Sequence, residues 1–491
     1  MNIVMTLEMA ATAGERPAVS LAERSLSAAE LLRLARRAAG RFRAAPAVLY
    51  RAPNHLAYPV ALFGCALAGV PFVPLNYRLG TEQLADIEGR HPDAVRLGPD
   101  DLEVLLDDPG EPSAGDVVQA PWDQDAVAVI LYTSGTTAAP KAALLRHRHL
   151  LAYVLNTLEF NSAAERDAAL VAVPPYHIAG LTNLMSNLYT GRRVVYLPAF
   201  SAGEWLAAVR REKVTHAMLV PTMLARIVEE LPADGDAGVP TLRSLAYGGA
   251  RAPRAVVEKA LRAFPDTGFV NAYGLTETSS SIAVLGPEDH RAALDAGDRV
   301  GRDRLTSVGR PLPGVEIELR TPAGELCTPG ATGLVHVRGE QISGEYSGRS
   351  VLDAEGWFPT GDLGRLDADG YLYVEGRADD TIIRGGENVA PAEIEDVLLE
   401  HPGVREAVVI GVPDEEWGQR IVAVLVGNEE SVQPDEIRLW VRNRLRTSKT
   451  PDTVVFRADL PRTGTGKLLR RTLIAELTEP DPLDNPEKSH A

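Results

Sequence analysis

Cysteine is almost absent from this chain, and its scarcity excludes one class of protein at once. Cys65 and Cys327 are the only two cysteines among 491 residues, and two thiols cannot form a disulfide framework in a chain of this length. The sequence therefore predicts a reducing compartment, in which both cysteines act as buried packing residues.

Positive charge is also in short supply. The chain has 67 acidic residues against 50 lysines and arginines, which gives a formal net charge of −17. Because a field of this sign repels phosphate, the composition argues against non-specific binding to nucleic acid or to an anionic membrane. Any polyanion that the protein binds must be held by local cations and hydrogen-bond donors.

A membrane-spanning segment is missing from the sequence pattern as well. Residues 56–75 carry no formal charge, but Gly69, Pro71 and Pro74 end any helix there after about a dozen residues, too few to cross a bilayer. A buried helix followed by a buried strand is the better interpretation. Residues 1–16 lack the basic and apolar regions of a signal peptide, so we expect a cytoplasmic protein.

The apolar pattern predicts several α/β units, since 491 residues exceed the usual size of one core. A helix over 25–42 begins with a capping box formed by Ser27 and Glu30. Strand-length apolar runs then alternate with helical stretches, which is typical of parallel sheets covered by helices. The strand candidates are 126–133, 168–174, 192–198 and 216–221, with a helix over 201–212 between the last two.

The pattern changes after about residue 305. Short strands with turn signals appear there, among them a hairpin turn at Asp369 and Gly370. They predict a small antiparallel or barrel-like unit. From residue 381 onward the pattern indicates a compact α+β segment, and the polar residues 479–491 are expected to form a flexible tail.

The stretch YTSGTTAAPKAALL at 132–145 carries the strongest local signal for a ligand. It offers the hydroxyls of Ser134, Thr136 and Thr137, close backbone approach at Gly135 and the positive charge of Lys141. This collection suits a triphosphate, whereas the alternative is a polar surface turn, and composition alone favours neither. The stretch is not a Walker A loop. Residues 461–469 also lack that pattern, because Pro461 and Leu468 occupy the positions of its first glycine and its hydroxyl residue.

Further motifs follow the loop in order along the chain. They are PPYHIAGL at 174–181, YGGA at 247–250, NAYGLTET at 271–278, WFPTGDLG at 357–364, GRADD at 376–380, GGENVAPAEIE at 385–395 and PRTGTGK at 461–467. The ordered set resembles the adenylate-forming superfamily, which contains acyl-CoA synthetases, peptide-synthetase adenylation domains and firefly luciferase. This resemblance decides between the two interpretations of the loop.

The resemblance implies an α/β fold with a mobile second domain. A large N-terminal AMP-binding domain over 1–376 would contain two α/β subdomains and a small β-barrel. A hinge at 377–380, centred on Asp379, would lead to a smaller α+β C-terminal domain over 381–478, which rotates during the reaction.

The resemblance also implies a reaction. With ATP and Mg²⁺, a carboxylic acid would become an acyl-AMP and release pyrophosphate; coenzyme A would then displace AMP to give a thioester. The protein's work would be positioning and charge stabilisation. Lys467 would bridge the carboxylate and the α-phosphate, Thr276 would contact the α-phosphate, and Glu277 would bind Mg²⁺.

Further roles are implied residue by residue. The ATP and AMP contacts would come from Thr133, Ser134, Gly135, Thr136, Thr137, Lys141, Gly249, Ala250, Asn271, Tyr273, Asp362 and Arg377. Within this set, Asp362 would accept the ribose hydroxyls and Tyr273 would stack on adenine. Coenzyme A would meet Gly385, Gly386, Trp417 and Lys449. The acyl group would be lined by His177, Gly248, Gly249, Leu275 and Ser279.

Outside these motifs the same residues would have plainer interpretations. Glu277 would be a solvated loop carboxylate, Lys467 a surface lysine and His177 a satisfied core histidine. Tyr273 would be a core aromatic, and the basic stretch 442–449 is interpreted equally well as a solvated helix face.

Departures from the family pattern leave rival functions open. Ala138 and Ala142 stand where glycine is usual, and a methyl group at 138 is harmful if that residue needs a positive φ or nearly touches phosphate. The stretch 174–181 lacks an aspartate for an α-ammonium group, which disfavours amino-acid substrates. A medium-sized apolar or aromatic acid is expected.

We therefore expect an acyl- or aryl-CoA ligase, acting as a monomer or homodimer. One alternative is an acyl-adenylating enzyme that transfers its acyl group to a carrier protein or an amine. The other is a non-catalytic nucleotide-binding relative.

Overall fold

The computed structural model describes residues 1–12, 14–107, 123–133, 140–231, 237–427, 432–462 and 468–478. Its helices, in chain order, are Val4–Ala11 (α1), Ala28–Phe42 (α2), Ala57–Ala68 (α3), Thr81–Gly89 (α4), Leu102–Leu106 (α5), His147–Thr157 (α6), Ile178–Thr190 (α7), Ala202–Arg211 (α8), Pro221–Glu230 (α9), Arg254–Ala263 (α10), Pro287–Asp295 (α11), Arg299–Asp303 (α12), Pro391–Leu399 (α13), Pro434–Arg442 (α14) and Arg470–Thr478 (α15).

The strands that precede residue 300 belong to two large sheets. They are Pro17–Leu21 (β1), Arg24–Ser27 (β2), Val48–Tyr50 (β3), Phe72–Pro74 (β4), Val95–Leu97 (β5), Val127–Thr133 (β6), Lys141–Arg146 (β7), Ala168–Val171 (β8), Arg193–Tyr196 (β9), His216–Leu219 (β10), Ser244–Gly248 (β11), Gly268–Leu275 (β12) and Ser280–Leu285 (β13).

Shorter or antiparallel strands dominate the rest of the chain. They are Arg310–Pro311 (β14), Val315–Arg320 (β15), Gly333–Gly339 (β16), Glu345–Tyr346 (β17), Arg349–Ser350 (β18), Phe358–Leu366 (β19), Leu372–Arg377 (β20), Ile382–Arg384 (β21), Glu387–Val389 (β22), Val404–Asp414 (β23), Gly418–Gly427 (β24) and Thr453–Phe456 (β25).

Two parallel-cored sheets build the first 300 residues, as the alternating pattern predicts. One has the order β18-β17-β7-β6-β4-β3-β5, and the other has the order β14-β13-β12-β11-β10-β8-β9-β1-β2. Their central strands pair in parallel, whereas β7, β13 and β14, toward one side of each sheet, pair antiparallel. Crossover helices supply the connections that parallel neighbours require.

Local sequence signals account for the first helices. The hydroxyl of Ser27 accepts from the Glu30 backbone N–H and the Glu30 carboxylate accepts from the Ser27 N–H, which completes the expected capping box of α2. The uncharged run 56–75 forms the buried helix α3, which ends at Gly69 with φ 70°, and then the buried strand β4. In the described part of the chain, no helix is long and apolar enough to cross a membrane.

The third unit lies where the sequence predicts a small antiparallel or barrel-like body. Strands β15, β16, β19 and β20 form a four-stranded antiparallel sheet in that order. The expected hairpin turn between β19 and β20 is present, and Gly370 has a φ of 80° there. This positive φ is the conformation that glycine adopts without strain.

A smaller α+β unit forms the C-terminal part. Strands β23, β24 and β25 make one sheet, β21 and β22 make a hairpin, and α13, α14 and α15 pack beside them. Its apolar interior includes Ile382, Ile394, Val409, Ala423 and Ile437. The predicted fold class, a large α/β region followed by a smaller α+β region, is thereby confirmed.

Three histidines are buried inside the large region. His147, His149 and His290 are at most 3% exposed, and burial lowers the pKa of each to about 4. The hydrogen bonds of His290 also suit a neutral ring. The His290 Nδ1–H donates to the Gly286 carbonyl at 2.7 Å, which leaves Nε2 to accept from the Tyr247 hydroxyl at 2.9 Å.

Acid should therefore destabilise this fold before the carboxylates protonate. An unfolded histidine has a pKa near 6.5, so the unfolded chain takes up protons that the folded chain excludes. The free energy of unfolding should fall as the pH falls from about 6.5 to about 4. Each histidine should contribute roughly 1.4 kcal/mol for every pH unit between its two pKa values. Urea unfolding midpoints at pH 7.5, 6 and 5 measure the effect.

His149→Gln should make that pH dependence shallower, because it removes one of the excluded protonations. His336→Gln, on the partly exposed face of β16, controls for the general cost of replacing a histidine. An unchanged pH dependence in His149→Gln would contradict the assignment.

Candidate active site

The phosphate-loop candidate connects two antiparallel strands. Thr133 at the end of β6 pairs with Lys141 at the start of β7, and the Thr133 hydroxyl donates to the Lys141 carbonyl at 3.4 Å. Ser134, Gly135, Thr136, Thr137 and Ala138 lie outside the described residues, as does Lys467. Ala142, the other departure from the family pattern, is a buried residue of β7 opposite Tyr132.

Parallel strands bring most of the other predicted residues to one edge of the nine-stranded sheet. Strands β8, β10, β11 and β12 run in the same direction, so their carboxyl ends meet there. Gly248 at the end of β11 lies beside Ala272 of β12. The carboxyl edge of such a sheet is where α/β proteins bind ligands. Tyr273 and Leu275 are among the last residues of β12, and the segments that leave these strands contain His177, Gly249, Ala250, Thr276 and Glu277.

Two glycines at this edge are required by close backbone packing. A Cβ on Gly248 would lie 2.1 Å from the Ala272 carbonyl oxygen, and a Cβ on Gly274 would lie 1.9 Å from the Ser280 carbonyl oxygen. The second position coincides with a register shift between β12 and β13. Beyond it, Ser279 and Ser280 have φ of 53° and 120°, a strained conformation that is typical of functional sites.

Glu277 is buried and held from several sides. Its backbone carbonyl accepts from the Ser343 N–H at 2.8 Å and the Gly344 N–H at 3.3 Å. The residue is only 7% exposed. One carboxylate oxygen, Oε1, accepts a hydrogen bond from the Tyr346 hydroxyl. Burial, followed by the charge of Glu277, raises the pKa of Tyr346, so its phenol remains a donor at neutral pH.

Asp362 stands at the centre of a second polar cluster. Its Oδ1 accepts from Arg377 Nη1 at 2.9 Å and its Oδ2 accepts from the Tyr273 hydroxyl at 2.5 Å. Burial acts to lower the pKa of Arg377, but the Asp362 carboxylate raises it above its usual value. Because a carboxylate has about four acceptor positions, the two oxygens retain capacity for two further donors such as ribose hydroxyls.

Asn271, expected near adenine, is a neighbour of this cluster along β12. Its side-chain amide donates to the Ser307 carbonyl at 3.0 Å, which leaves the amide oxygen as the group to meet an amine. Gly249 has a φ of 82°, and both Gly249 and Ala250 are exposed at the strand end.

His177 lies at the N-terminal end of α7 among aromatic rings. The ring of Tyr176 is 4.6 Å from it, and the ring of Tyr77 is 5.5 Å from Tyr176. Burial, with a smaller effect of the Arg78 charge, lowers the pKa of His177 to about 4. Three buried polar atoms of the described residues in this region have no hydrogen-bond partner: Tyr176 Oη, His177 Nε2 and Ser279 Oγ. An unmatched buried polar atom is costly, so a ligand that supplied hydrogen-bond partners here would bind favourably.

The residues expected to meet coenzyme A lie in the C-terminal unit. Gly385 and Gly386 form the two-residue turn between β21 and β22, with φ of 57° and 82°, as a type I′ turn requires. Trp417 is 44% exposed beside this turn, and its carbonyl accepts from the Gly385 N–H at 2.8 Å. Lys449 is in an ion pair with Glu393. Asp379 is exposed in a short 3₁₀ turn directly after β20.

Two ion pairs connect the large region to the C-terminal unit. Arg251, which follows the 247–250 motif, pairs with Asp396 of α13, and Arg254 pairs with Glu400 at 2.9 Å. All four side chains are about 30% to 45% exposed. Pairs this accessible to solvent contribute roughly 0–1 kcal/mol each. They therefore hold the C-terminal unit only weakly against the large region.

Sequence reasoning missed the contribution of Tyr346 and its neighbours. Tyr346 lies in a turn-rich stretch, GEYSGRS at 344–350, with the composition of a surface hairpin. In the structure this hairpin, β17 and β18, joins the edge of the seven-stranded sheet beside β7. No local signal indicates that contact, because Ala143 and Tyr346 are distant in sequence.

Comparison with known proteins gives matches over nearly the whole chain. The model of the AMP-binding enzyme family matches residues 7–347, and the model of the AMP-binding enzyme C-terminal domain matches residues 393–467. The chain is 37% identical to feruloyl-CoA synthase of Amycolatopsis sp over 479 residues, covering 91% of this chain and 93% of that enzyme. It is 34% identical to the fatty acid–[acyl-carrier-protein] ligase ScoC of Streptomyces coeruleorubidus over 493 residues, covering 93% and 92%.

A solved structure shares the architecture. The o-succinylbenzoate CoA synthetase MenE of Bacillus subtilis, in complex with its acyl-adenylate intermediate, has a TM-score of 0.81 and 31% identity to this chain. The match covers 95% of this chain and 97% of that one. The same enzyme in complex with ATP and a magnesium ion has a TM-score of 0.80.

Alanine at either packed glycine should disturb the edge at which these strands end. Gly248→Ala and Gly274→Ala place a methyl group against backbone, and overpacking of this kind costs typically about 1–3 kcal/mol. We expect a lower melting temperature and weakened AMP binding, measured by calorimetry, for both variants. Gly297→Ala is the matched control, because nothing lies within 4 Å of its added Cβ. Wild-type AMP affinity in the first two variants would contradict the packing argument.

Proposed function

The chain belongs to the family of AMP-binding enzymes, the adenylate-forming superfamily, and from this membership we infer that it is an ATP-dependent acid–CoA ligase. It activates a carboxylic acid to an acyl-AMP, releases pyrophosphate and transfers the acyl group to coenzyme A. The observation that carries this conclusion is the near full-length similarity to feruloyl-CoA synthase. The expected resemblance to the superfamily is confirmed.

The described residues fit magnesium that arrives with ATP rather than a resident metal. They include no cluster of three or more metal-binding side chains, but Glu277 is a buried carboxylate in a turn that contacts β7, the strand after the loop candidate. Protein-bound Mg²⁺ commonly takes one or two carboxylates and completes its coordination with substrate phosphates and water. When bound, the ion neutralises phosphate charge and orients the leaving pyrophosphate.

Residue roles in this reaction remain our proposals. Lys141 and the loop before it bind the β- and γ-phosphates, Thr276 contacts the α-phosphate, and Asp362 accepts the ribose hydroxyls. The free acceptor positions of Asp362 support its role, since Arg377 and Tyr273 use only one on each oxygen. Lys467 stabilises the charge that develops during attack by the carboxylate, as a preorganised cation does.

The division of labour between domains is also a proposal. Asp379 lies on the short connection between β20 and β21, where a few residues can absorb a large change in φ and ψ. We propose that rotation there exchanges Lys467 for the Gly385–Gly386 turn at the active site. The two exposed ion pairs at Arg251 and Arg254 support such movement, because breaking them costs little.

The acid that fits best is aromatic and carries polar substituents. The rings of Tyr77 and Tyr176 meet edge to face, and the Tyr176 and His177 rings pack at a tilted angle. An aromatic substrate prefers this kind of surface. The unpartnered Tyr176 Oη and Ser279 Oγ would gain partners from hydroxyl or methoxy groups of the substrate. The relative that acts as a feruloyl-CoA synthase supports this class.

A second acceptor is favoured by one specific relative. ScoC, 34% identical to this chain, is a ligase that uses an acyl carrier protein. Transfer of the acyl group to a carrier protein is therefore the competing proposal for the second half-reaction. The first half-reaction is common to both.

Product analysis separates these proposals. Mass spectrometry of reactions with ATP, Mg²⁺, coenzyme A and pooled phenolic, benzoic and fatty acids should give a thioester of a substituted aromatic acid. Lys467→Ala should lower the rate of acyl-AMP formation by roughly 10²–10³-fold, in the range of losing one charge-stabilising donor. Arg462→Ala, five residues earlier in the same motif, is a nearby control for the general effect of substitution.

Other products would redirect the assignment. Acyl-AMP without thioester would contradict coenzyme A as the acceptor and favour a carrier protein or an amine. Normal AMP binding without any product from the pool would favour the non-catalytic alternative that Ala138 raises.

A further inference from the structure

Tyr346 touches the candidate metal carboxylate from a different sheet. Its hydroxyl donates to Glu277 Oε1, while its ring lies 5.8 Å from the Lys141 ammonium nitrogen. Lys141 belongs to the seven-stranded sheet, whereas Glu277 follows β12 of the nine-stranded sheet. The Tyr346 side chain thus contacts both Glu277, which the proposed function assigns to the metal, and Lys141, which it assigns to the phosphates.

The hairpin that contains Tyr346 is anchored without its hydroxyl. Glu345 forms a two-bond ion pair with Arg146, with distances of 2.7 and 2.9 Å. The Ser347 N–H donates to the Ala142 carbonyl at 3.2 Å, and the Ser343 hydroxyl donates to the Leu144 carbonyl. The phenol is therefore not needed to hold the hairpin against β7.

The backbone of Glu277 is likewise fixed by other groups. The Ser343 and Gly344 N–H groups bind its carbonyl, and the Gln341 side-chain amide binds the carbonyls of Thr278 and Ser281 at 2.9 and 2.8 Å. What these bonds leave free is rotation of the Glu277 side chain. The contact with Tyr346 restricts that rotation.

We propose that Tyr346 is a positioning residue for the metal–phosphate site, whose hydroxyl holds Glu277 Oε1 so that Oε2 faces the magnesium of Mg·ATP. This inference rests on the proposed function, because it concerns the same carboxylate. Groups that orient a metal ligand through a hydrogen bond commonly change metal affinity by 10- to 100-fold. The ring of Tyr346 packs beside the Lys141 ammonium group.

Tyr346→Phe tests the hydroxyl alone. Calorimetry should measure the affinity for α,β-methylene-ATP, which cannot be cleaved to AMP, first with saturating Mg²⁺ and then in EDTA. The variant should bind the Mg²⁺ complex roughly 10-fold more weakly, with unchanged affinity in EDTA. AMP, which needs no metal, should bind both proteins equally and shows that the nucleotide pocket is folded.

Tyr371→Phe is the matched control. Its hydroxyl also donates to a carboxylate, Asp289 Oδ1 at 2.6 Å, but at a position with no assigned role. It should leave all three affinities unchanged. In pyrophosphate exchange, Tyr346→Phe should raise the Mg²⁺ concentration for half-maximal rate, and excess Mg²⁺ should restore the rate.

Three results would overturn the inference. They are an unchanged affinity for the Mg²⁺ complex in Tyr346→Phe, an equal loss in Tyr371→Phe, or a parallel loss of AMP binding that marks a purely structural role. If the unsubstituted protein binds AMP but gains no nucleotide affinity from Mg²⁺, the inference alone fails. If it does not bind AMP, the proposed function fails with it.

Discussion

The geometry of the candidate active site depends on one polar contact between the two large sheets, the docking of residues 343–346 over Glu277, in addition to the apolar core that the sheets share. Two backbone N–H groups of this segment bind the Glu277 carbonyl, while the Arg146–Glu345 ion pair attaches the same segment to β7. Each sheet brings a charged group of its own, Lys141 in one case and Glu277 in the other. This segment supports the Glu277 turn beside β7, and β7 also contacts that turn directly.

An acidic protein that binds ATP has to solve an electrostatic problem locally. The chain carries a net charge of −17, and two buried carboxylates, Glu277 and Asp362, lie in the candidate site. Each is compensated by a neighbouring donor: Tyr346 for Glu277, and Arg377 with Tyr273 for Asp362. Since buried charges are stable only when they are paired and hydrogen-bonded, these partners are as necessary as the carboxylates.

Rigid and movable parts of the molecule are held by different forces. The sheets and the C-terminal unit each have an apolar core, which accounts for most of their stability. By contrast, the described ion pairs between the large region and α13 are solvent-exposed and weak. This contrast supports the proposed rotation of the C-terminal unit, which would leave the cores intact.

The sequence alone determined the parts of this protein that depend on local pattern. The capping box at Ser27, the broken apolar run over 56–75, the hairpin turn at Gly370 and the alternation of strands and helices all follow from residue periodicity and turn chemistry. Motif order was sufficient to indicate the superfamily. The roles of individual residues, Lys467 and Glu277 among them, remain proposals.

Tertiary structure decided which distant residues meet. No motif in the sequence marks Tyr346. It reaches Glu277 because its hairpin pairs with β7, a strand that lies some two hundred residues earlier in the chain. The pairing of Tyr273 and Arg377 on the two oxygens of Asp362, and the crowding that excludes a Cβ at Gly248, arise in the same way. Such contacts depend on packing between elements, and periodicity within one element carries no information about its partner.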